Sequence, residues 1–589
     1  MTDLAPQPER VLVANRGEIA LRVIRACREL GLSPVAIYGD GEEQSAHVTA
    51  ADDAYRIPDG ATLPYLNIPA IVEIAQRSGA TMIHPGYGFL AENAAFADAI
   101  REAGLIFAGP TPEAMRSLGD KVAARKVAVR ANVPIVPGTE DPVESAEAAR
   151  AWADQFGYPV AVKAAGGGGG RGFRVARSSG ELEDAYLGSA GEAQRYFANP
   201  TVFLERYLER PRHVEVQIIA DQQGSVVALG ERDCSVQRRH QKLIEETPSP
   251  AVTPEIRAAL MAASVSLARE VGYTSAGTVE FMLAPDGQFY FLEMNTRIQV
   301  EHTITEMVTG FDLVKEQLLI AQGHPLSFTQ DDVAPAGHSI QCRINAEDAG
   351  RDFAPTPGTI TAYQEPGGFG VRVDSAMHAG AAISPMYDSL IAKLVVWGRD
   401  RNEAIARMQR ALGEFKVEGV ATTIPFHQNV LANPAFIAGE ATTAFLPENP
   451  QVIPAAQTPV AAAAEEESPA SAEALVEVNG RRFSVVVRGG GFALADPAPS
   501  NGAGPGRRSV AKKDAKASAR ETLESPIQGT VVRIEVAEGQ EVTAGQLVCV
   551  VEAMKMENEL LAHRAGTVKS LHVKKGDPIK VGASVVEIS

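Results

Sequence analysis

The sequence predicts a multidomain chain in which a large α/β part is followed by a small all-β sandwich. The chain has 589 residues, which is too many for one hydrophobic core, since single domains usually contain about 100–200 residues. Close to the N-terminus, a strand, an apolar-periodic helix and a second strand follow one another, which indicates a parallel α/β sheet. Close to the C-terminus, the chain repeats its own pattern of glycine and apolar residues. That repeat indicates two similar halves of one β domain.

Composition excludes several classes of protein. Hydrophobic residues make up 45% and charged residues 22% of the chain, and no apolar run approaches the roughly 20 residues that span a bilayer. The formal net charge of −18 argues against nucleic acid or an anionic membrane as a partner. The N-terminal residues do not resemble a signal peptide, and the four cysteines have no metal-like spacing. We therefore expect a cytoplasmic protein without structural disulfides.

The N-terminal α/β domain is predicted to cover residues 1–120. Residues 10–14 form the first strand, the helix after it ends near Leu30, and residues 34–38 form the second strand. The turn between strand and helix has a single glycine, so it is a weak candidate for a dinucleotide site. Residues 82–93 have the sequence M-I-H-P-G-Y-G-F-L-A-E-N, which predicts a strand running into a Gly/Pro-rich turn. Turns at this edge of a parallel sheet line ligand crevices.

A glycine-rich loop follows the next predicted domain boundary. An apolar strand ends in Lys163, and after it come five consecutive glycines, Gly166, Gly167, Gly168, Gly169 and Gly170. Glycine loses more backbone entropy on ordering than other residues do, so the loop should be mobile. Its exposed N–H groups can close on an anion such as a phosphate. A flexible hinge without a ligand is the alternative interpretation.

A predicted hairpin brings two carboxylates together. One strand ends in residues 278–281, the turn is P-D-G, and residues 289–293 return. Glu280 and Glu293 would then lie on adjacent strands, and their carboxylates can converge with Asn295. Converging carboxylates repel each other unless a cation is bound. Oxygen ligands of this kind suit Mg²⁺ or Mn²⁺ bound to nucleotide phosphates.

The C-terminal repeat surrounds one lysine. Gly529 and Gly566 begin two segments with the same pattern of glycine and apolar residues, 37 residues apart. Lys555 lies between the halves, in the sequence A-M-K-M. An isolated lysine in a turn is ordinarily a solvated charge. The repeat instead favours a rigid body that presents this amine for covalent attachment of a swinging prosthetic group.

Two linkers and a hairpin are predicted between the α/β part and the repeat. Residues 448–474 are rich in Ala, Glu and Pro and are assigned to a linker. Residues 475–495 form a β-hairpin, because an Asn-Gly pair suits a type I′ turn. Residues 496–522 form a flexible linker with a span of about 26–31 Å. The carrier domain then covers residues 523–589.

These motifs resemble those of biotin-dependent carboxylases. The H-P-G-Y-G-F-L-A-E-N stretch, and the sequence from there to about Pro447, are similar to biotin carboxylase, an ATP-grasp enzyme. The resemblance implies an ATP-grasp domain at 121–335, with a lid at about 135–205, and a C-terminal biotin carboxylase domain at 336–447. The A-M-K-M sequence is similar to the site where a biotin protein ligase attaches biotin. A lipoyl domain is the minor alternative for the repeat.

The resemblance also implies roles for individual residues. Lys121 and Lys163 would contact ATP phosphates. Glu205 and Leu208 would lie at the adenine hinge, and His213, Gln237 and His240 would complete the nucleotide pocket. Two Mg²⁺ or Mn²⁺ ions are implied beside the nucleotide. Arg206 stands where the family pattern has lysine, which matters little if only the hinge backbone is used.

The implied chemistry is the carboxylation of biotin. Glu301 would be the general base for bicarbonate, and Arg297 would hold the bicarbonate charge with Lys242 nearby. Arg343 would stabilise the enolate form of biotin. ATP would phosphorylate bicarbonate to carboxyphosphate, which releases CO₂ for biotin. A surface ion pair is the alternative reading of Glu301 and Arg343.

The resemblance implies the α subunit of an acetyl- or propionyl-CoA (acyl-CoA) carboxylase, with a place in fatty acid biosynthesis. The segment between Pro447 and Glu524 is too short for a carboxyltransferase, so a separate β subunit is expected, docked by the hairpin. A homo-oligomer within a larger α–β complex is expected. The alternatives are the α subunit of another carboxylase such as methylcrotonyl-CoA carboxylase, a general ATP-grasp ligase, or a carrier protein whose large domain only binds nucleotide.

Overall fold

The computed structural model describes residues 9–58, 63–139, 141–164, 173–197, 201–457, 471–478, 481–488, 522–525, 529–553, 556–579 and 582–589. The chain forms two compact units. The first comprises residues 1–356, 360–381 and 390–457, and the second comprises residues 357–359, 382–389 and 458–589. Among the helices in the described ranges, none has the length and apolar character needed to cross a membrane.

The first unit begins with a parallel sheet, as the sequence predicts, and this sheet has five strands. Its strands lie in the order Asp53–Arg56, Ser33–Tyr38, Arg10–Val13, Met82–His84 and Ile106–Phe107. The connecting helices are Gly17–Glu29, Ala46–Ala50, Ile68–Ser78 and Ala94–Glu102, and the helix Pro112–Gly119 follows the last strand. Ile19 and Val23 of the first helix belong to one apolar core with Val11 and Val13 of the central strand.

A separate three-stranded antiparallel sheet contains the strands that precede and follow the glycine run in the sequence. Its strands lie in the order Phe173–Ala176, Val160–Ala164 and Val202–Arg206. The helices Ala146–Phe156 and Ser179–Phe197 belong to the same region. Val160 and Val162 pack with Leu182 and Leu204 in its core, while Lys163, the next residue of the strand, is exposed.

The central sheet has eight antiparallel strands. They lie in the order Phe289–Asn295, Ser275–Leu283, Arg212–Ala220, Val226–Arg238, Gln241–Thr247, His338–Asn345, Leu390–Gly398 and Val371–Ser375. Strands from both sides of the domain boundary predicted at residues 335 and 336 therefore belong to one sheet. Its extent explains why residues far apart in the sequence can meet on one face.

The two faces of the central sheet differ in polarity. Val214, Val216 and Ile218 pack in one core with the helix Pro254–Glu270. Side chains alternate across a strand, so the side chains of the intervening Glu215 and Gln217 are directed to the opposite face. Both are completely buried there. The sheet thus has one apolar face and one face that buries polar groups.

The remaining elements of the first unit surround this sheet. Its other helices are Lys121–Arg130, His302–Thr309, Leu313–Ala321, Arg401–Glu414, Ile424–Ala432, Pro434–Ile437 and Phe445–Glu448. Two short strand pairs are Glu347–Asp348 with Ala354–Pro355 and Ala362–Gln364 with Lys416–Glu418. Short 3₁₀ turns cover Pro64–Leu66, Gln330–Asp332, Ala349–Arg351 and Pro450–Val452.

The C-terminal β domain of the second unit confirms the two similar halves that the sequence predicts. One sheet has the order Thr522–Glu524, Ser584–Ile588, Gly566–Leu571 and Glu541–Val542, and the other has the order Met556–Leu561, Leu547–Ala553, Gly529–Ile534 and Pro578–Ile579. Val531 and Val568 are equivalent in the repeat, as are Val548 and Val585, and all four lie in one apolar core. Each half contributes strands to both sheets, so neither half completes a sheet alone.

The second unit also contains the strand pairs Ser471–Val478 with Arg481–Arg488 and Gly358–Thr359 with Ala382–Ile383. The first of these begins at Ser471, so the linker predicted over residues 448–474 is wrong over its last four residues. It is also wrong at its start, because residues up to 457 belong to the first unit and include the turn Pro450–Val452. Ala and Glu have low strand propensity, but backbone pairing with Val485–Arg488 extends the strand over them.

Candidate active site

Lys242 lies at the centre of a buried cluster on the polar face of the central sheet. It stands on the strand Gln241–Thr247, and its ammonium donates to carboxylates from three other elements. It contacts Glu215 and lies 2.8 Å from both Glu280 Oε1 and Glu301 Oε1. Every one of these side chains is less than a tenth exposed. Burying three ionised carboxylates without a cation would cost a large amount of free energy, and the ammonium of Lys242 offsets part of that cost.

Arg232 braces the same cluster from the strand Val226–Arg238. Its guanidinium is fully buried and donates to Glu215 Oε1 at 2.5 Å and to Gln217 Oε1 at 2.7 Å. It also donates to three more oxygens, those of Thr278, Gln299 and Thr305. The five donors of an arginine are thereby all used, which fixes its position.

Glu301 joins the cluster to a second arginine. It occupies the N-cap position of the helix His302–Thr309. Arg343 donates from Nη2 to Glu301 Oε2 at 2.9 Å and from Nε to Glu245 Oε1 at 2.6 Å. The sequence-predicted residues Lys242, Glu301 and Arg343 therefore form one continuous chain of contacts, with the carboxylate between two cations. Glu301 and Arg343 do form an ion pair, but the pair is buried, so the alternative interpretation as a surface ion pair is wrong.

Electrostatics keep the carboxylates of the cluster charged. Burial by itself raises the pKa of Glu301, but Lys242 and Arg343 outweigh it and hold the pKa well below its ordinary value. Burial likewise opposes ionisation of Glu280, and Lys242 and His213 hold its pKa well below the usual range. Burial would lower the pKa of Lys242, yet its three carboxylate neighbours raise it well above normal. Glu280, Glu301 and Lys242 are therefore all in their charged forms near neutral pH.

The predicted metal ligands are partly engaged with protein donors. Glu280 and Glu293 are direct partners across two strands, as the sequence predicts. Asn295 donates to Glu280 Oε1 at 2.8 Å, and His213 Nε2 lies 2.8 Å from Glu280 Oε2. Because an ionised carboxylate only accepts hydrogen bonds, His213 carries its proton on Nε2. Glu293 is half-buried beside them.

His213, Glu215 and Glu280 form a second group whose potential ligand atoms lie within 4.8 Å of one another. Lys242 donates to both of these carboxylates. Glu215 is also held by Arg232, so positive charge is already supplied to it, and the oxygen-rich set of Glu280, Glu293 and Asn295 suits a hard divalent cation better.

Arg297 is held at the edge of the cluster. Its Nε donates to Glu92 Oε2 at 2.9 Å and its Nη2 to Asn295 Oδ1 at 2.9 Å. Its Nη1 donates to the carbonyl of Ile298 at 3.2 Å. Glu92 belongs to the H-P-G-Y-G-F-L-A-E-N stretch, so this stretch orients an arginine that lies two residues after the strand Phe289–Asn295.

Residues predicted to bind nucleotide lie on several elements. Lys163 contacts Glu205, which also accepts from Arg125 Nη1 at 3.1 Å. Leu208 packs against a small core that contains Val136 and Tyr290.

Two more predicted nucleotide residues lie close to the turn between the strands Val226–Arg238 and Gln241–Thr247. Gln237 is buried, and its Oε1 has no hydrogen-bond partner among the residues with described coordinates. His240 is exposed at the turn itself, with a φ of 68°.

Several predicted residues lie outside the described residues. These are Gly166, Gly167, Gly168, Gly169, Gly170 and Lys555. The side chain of Lys121 is also outside that part of the chain, although its backbone begins the helix Lys121–Arg130.

Sequence reasoning missed Glu92, Glu215, Arg232 and Glu245 as members of the site. A signal for Glu215 was present, because the segment H-V-E-V-Q-I-I-A alternates charged or polar residues with valines inside a strand. Such alternation ordinarily predicts a solvated face. It indicates a buried polar face only when further strands and helices cover both sides of the sheet.

Comparison with protein families gives four matches along the chain. Residues 7–115 match "Biotin carboxylase, N-terminal domain" and residues 120–329 match "Carbamoyl-phosphate synthase L chain, ATP binding domain". Residues 341–448 match "Biotin carboxylase C-terminal domain", and residues 521–588 match "Biotin-requiring enzyme". Together these matches cover most of the sequence.

Similar individual proteins agree with these matches. A biotin-dependent acyl-coenzyme A carboxylase alpha3 subunit of Mycobacterium leprae is 46% identical over 98% of both chains. A biotin carboxylase of Nostoc sp. is 52% identical over 75% of this chain and 99% of its own. The biotin carboxylase domain dimer of Hydrogenobacter thermophilus 2-oxoglutarate carboxylase, solved with MgADP, ADP and bicarbonate, has a TM-score of 0.70 and 48% identity, covering 77% of this chain and 100% of that one.

Proposed function

The chain belongs to the biotin-dependent carboxylases, with a biotin carboxylase and a biotin-requiring domain on one polypeptide, and from this premise we propose that it is the α subunit of an acyl-CoA carboxylase. It uses ATP and bicarbonate to carboxylate biotin on its own carrier domain and passes the carboxyl group to a separate carboxyltransferase subunit. The observation that carries the proposal is the buried contact chain of Lys242, Glu301 and Arg343.

Glu301 is the proposed proton acceptor for bicarbonate. Both of its oxygens are occupied by cations, and these cations keep it ionised. A carboxylate with so low a pKa is a weak base. Bicarbonate, as an anion, competes for Lys242 and Arg343, and each contact that Glu301 loses to the substrate raises its basicity. The base would thereby become effective when the substrate is present.

Arg297 is the proposed holder of bicarbonate. Its contacts with Glu92, Asn295 and Ile298 use Nε and one donor each of Nη1 and Nη2. A guanidinium has five N–H donors, so one donor on each terminal nitrogen remains for a ligand. Two parallel donors match two oxygens of a planar anion. Glu92 fixes the orientation of this pair.

The residues at the predicted metal site fit a hard divalent cation. Glu280, Glu293 and Asn295 offer two carboxylates and an amide oxygen, the donor types that Mg²⁺ and Mn²⁺ prefer. Bound there, one or two such ions would neutralise charge on the ATP phosphates. The protein's part is to keep Glu280 ionised, which His213 and Lys242 do. The magnesium nucleotide in the Hydrogenobacter thermophilus domain supports this assignment.

The nucleotide would be held between the three-stranded sheet and the central sheet. Lys121, Lys163 and the five glycines are proposed for the phosphates, and Glu205 and Leu208 for the adenine. Gln237 supports a polar ligand nearby, since its Oε1 is a buried acceptor with no protein partner in the described ranges. An unsatisfied buried acceptor is costly, and a bound ligand or water would remove that cost.

Biotin, when attached to Lys555, would supply a ring nitrogen that accepts the carboxyl group. On the protein side, Arg343 offers positive charge to the biotin oxygen, and Glu245 and Glu301 fix its guanidinium. A biotin protein ligase would attach the group. The choice of acyl-CoA would belong to the carboxyltransferase, so acetyl-CoA, propionyl-CoA and methylcrotonyl-CoA remain alternatives.

The assay that tests the function follows ATP cleavage by the purified chain with and without bicarbonate, and then carboxylation of added free biotin. The proposal expects ATP cleavage that requires bicarbonate and increases with biotin. A general ATP-grasp ligase would show neither dependence, and a nucleotide-binding carrier would show no turnover. Avidin binding by the intact chain separately tests whether the carrier is biotinylated.

The hairpin Ser471–Val478 with Arg481–Arg488 is the proposed docking element for the β subunit. A lone two-stranded hairpin is marginally stable in water, and its outer strand edges can pair with another chain. Replacing both Phe483 and Val485 with Asp should abolish co-purification with the β subunit and leave carboxylation of free biotin intact. Survival of the complex would place the docking site elsewhere. Replacing Arg482 and Ser484 with Asp is the matched control, because it adds the same acids without removing apolar side chains.

A further inference from the structure

Arg343 belongs to the strand His338–Asn345, at a point where this strand is paired with another strand on one side only. The strand Gln241–Thr247 pairs with His338–Asn345 only as far as Ile244 and Cys342. On the other side, the pairing with Leu390–Gly398 shifts register between Ile344 and Asn345. Arg343 therefore keeps a strand partner, Lys393, on one side only, and that ladder becomes irregular at Asn345.

The start of the helix Ile424–Ala432 replaces the missing strand. Thr423 Oγ1 donates to the carbonyl oxygen of Arg343 at 2.9 Å and accepts from the amide of Asn345 at 3.0 Å. The amide of Thr423 donates to the carbonyl of Asn345 at 3.1 Å. His427 Nε2 lies 2.7 Å from the carbonyl oxygen of Arg343. One threonine and one histidine thus pair three backbone groups, the carbonyl of Arg343 and the amide and carbonyl of Asn345.

These contacts are fully buried. Thr423 and His427 are 0% exposed, and Asn345 is 1% exposed. His427 must donate from Nε2, because a carbonyl oxygen only accepts, and burial lowers its pKa to about 4. The ring is therefore neutral with its proton on Nε2. Loss of either donor would leave a buried carbonyl short of a partner that water cannot replace.

We propose that Thr423 and His427 are positioning residues for Arg343 and set the orientation of its guanidinium towards biotin. The inference rests on the proposed function, in which Arg343 touches biotin. Arg343 reaches Glu245 and Glu301 at 2.6 and 2.9 Å, so a shift of its backbone would disturb both contacts. Misplacement of a reacting group by about 1 Å can cost a hundredfold in rate.

The test compares four variants with a matched control. Thr423→Val keeps the shape of the side chain and removes the hydroxyl, while Thr423→Ser retains it. His427→Leu removes the ring donor, and His427→Gln retains an N–H that can reach the carbonyl. Val430→Ala is the control, because Val430 is fully buried on the same helix and its truncation weakens packing without touching Arg343.

Two readouts separate positioning from general destabilisation. In the free-biotin assay, Thr423→Val and His427→Leu should lower kcat/KM for biotin by about 10- to 100-fold and leave KM for ATP within about twofold. In the biotin-free protein, Thr423→Val should speed hydrogen exchange of the Asn345 amide, which loses its acceptor. Thr423→Ser and His427→Gln should recover most of the biotin kcat/KM, and Val430→Ala should change neither readout selectively.

The outcomes distinguish failure of the proposed function from failure of the positioning role of Thr423 and His427. Wild-type protein that carboxylates no free biotin would overturn the proposed function. Wild-type activity combined with Thr423→Val and His427→Leu values equal to those of Val430→Ala would overturn the positioning role alone. Equal losses in the ATP and biotin constants would also overturn it. If His427→Leu does not fold, the Thr423→Val and Thr423→Ser pair decides the question.

Discussion

The carboxylase part and the carrier part of the chain differ in what they bury, because among the described residues only the carboxylase part adds a buried charged cluster to its apolar cores. The described core of the carrier is apolar, with equivalent valines such as Val531 and Val568 from its two halves. The central sheet of the carboxylase buries Arg232 and Lys242 with their carboxylate partners on one face. Apolar burial is non-directional, whereas each buried charge must be matched individually. The first kind of core makes a rigid body, and the second fixes the positions of reactive groups.

This difference follows from what each part must do. A carrier has only to present one attachment point, so any well-packed apolar interior serves. A site that binds bicarbonate and ATP phosphates needs several fixed charges in a region with little water. There the interaction between charges is strong, and an unmatched charge is costly. The carboxylase core therefore gives up some stability for a single electrostatic arrangement.

Of the substitutions considered, removal of Lys242 should have the largest effect on turnover and on the stability of the carboxylase part. Lys242→Met leaves Glu215, Glu280 and Glu301 without their common cation, so we expect loss of turnover and a loss of about 3–5 kcal/mol in the free energy of unfolding of the carboxylase part. The two tryptophans, Trp152 and Trp397, both lie in this part. Their fluorescence during denaturation by urea measures its stability without a contribution from the carrier.

Arg410→Ala is the control for this measurement. Arg410 forms an exposed i, i+4 ion pair with Glu414, and such pairs contribute about 0.3–0.5 kcal/mol. A Lys242→Met midpoint as close to wild type as that of Arg410→Ala would show that the buried charges are not coupled as described.

Neutralisation of Glu301 should affect catalysis much more than binding. Glu301→Gln keeps the shape of the side chain, and we expect turnover to fall about 10²–10⁴-fold, the usual contribution of a general base. ATP affinity should be nearly unchanged, because Glu301 is not proposed to hold nucleotide. Steady-state kinetics and nucleotide titration measure the two quantities. More than about a third of wild-type turnover would exclude Glu301 as the base.

Truncation of the carrier core should have a moderate and symmetric effect. Val531→Ala and Val568→Ala remove the same groups from equivalent, buried positions, and each should cost about 2 kcal/mol of carrier stability. Hydrogen exchange of carrier peptides in the full chain measures both. Tryptophan fluorescence should detect no change in the carboxylase part. Costs that differ by more than about 1 kcal/mol would indicate that the two halves are not equivalent in packing.

The same contrast explains what the sequence could and could not predict. The apolar repeat predicted the paired halves of the carrier, because glycine and valine positions determine such a core directly. The facing pair of Glu280 and Glu293 followed from one hairpin. Glu215 and Arg232 could not be assigned, because their pairing depends on strands that are close only in the folded sheet.

The contact of Glu92 with Arg297 joins residues 205 positions apart, and no local pattern reports such a pairing. The first four residues of the strand Ser471–Val478 were missed for a related reason. Its Ala- and Glu-rich start has little propensity of its own and becomes a strand through its partner. Local chemistry was therefore predictable, and long-range polar pairing was not.

The central claim is that the buried cluster of this chain carboxylates biotin on Lys555 of the same chain. The most direct measurement incubates the biotinylated full chain with ATP, Mg²⁺ and isotopically labelled bicarbonate and follows label on the protein. We predict label on wild-type protein, none on Lys555→Arg or Glu301→Gln, and none after prior treatment with avidin. Label that persists on Lys555→Arg, or biotin found on that variant by intact-mass analysis, would contradict the account.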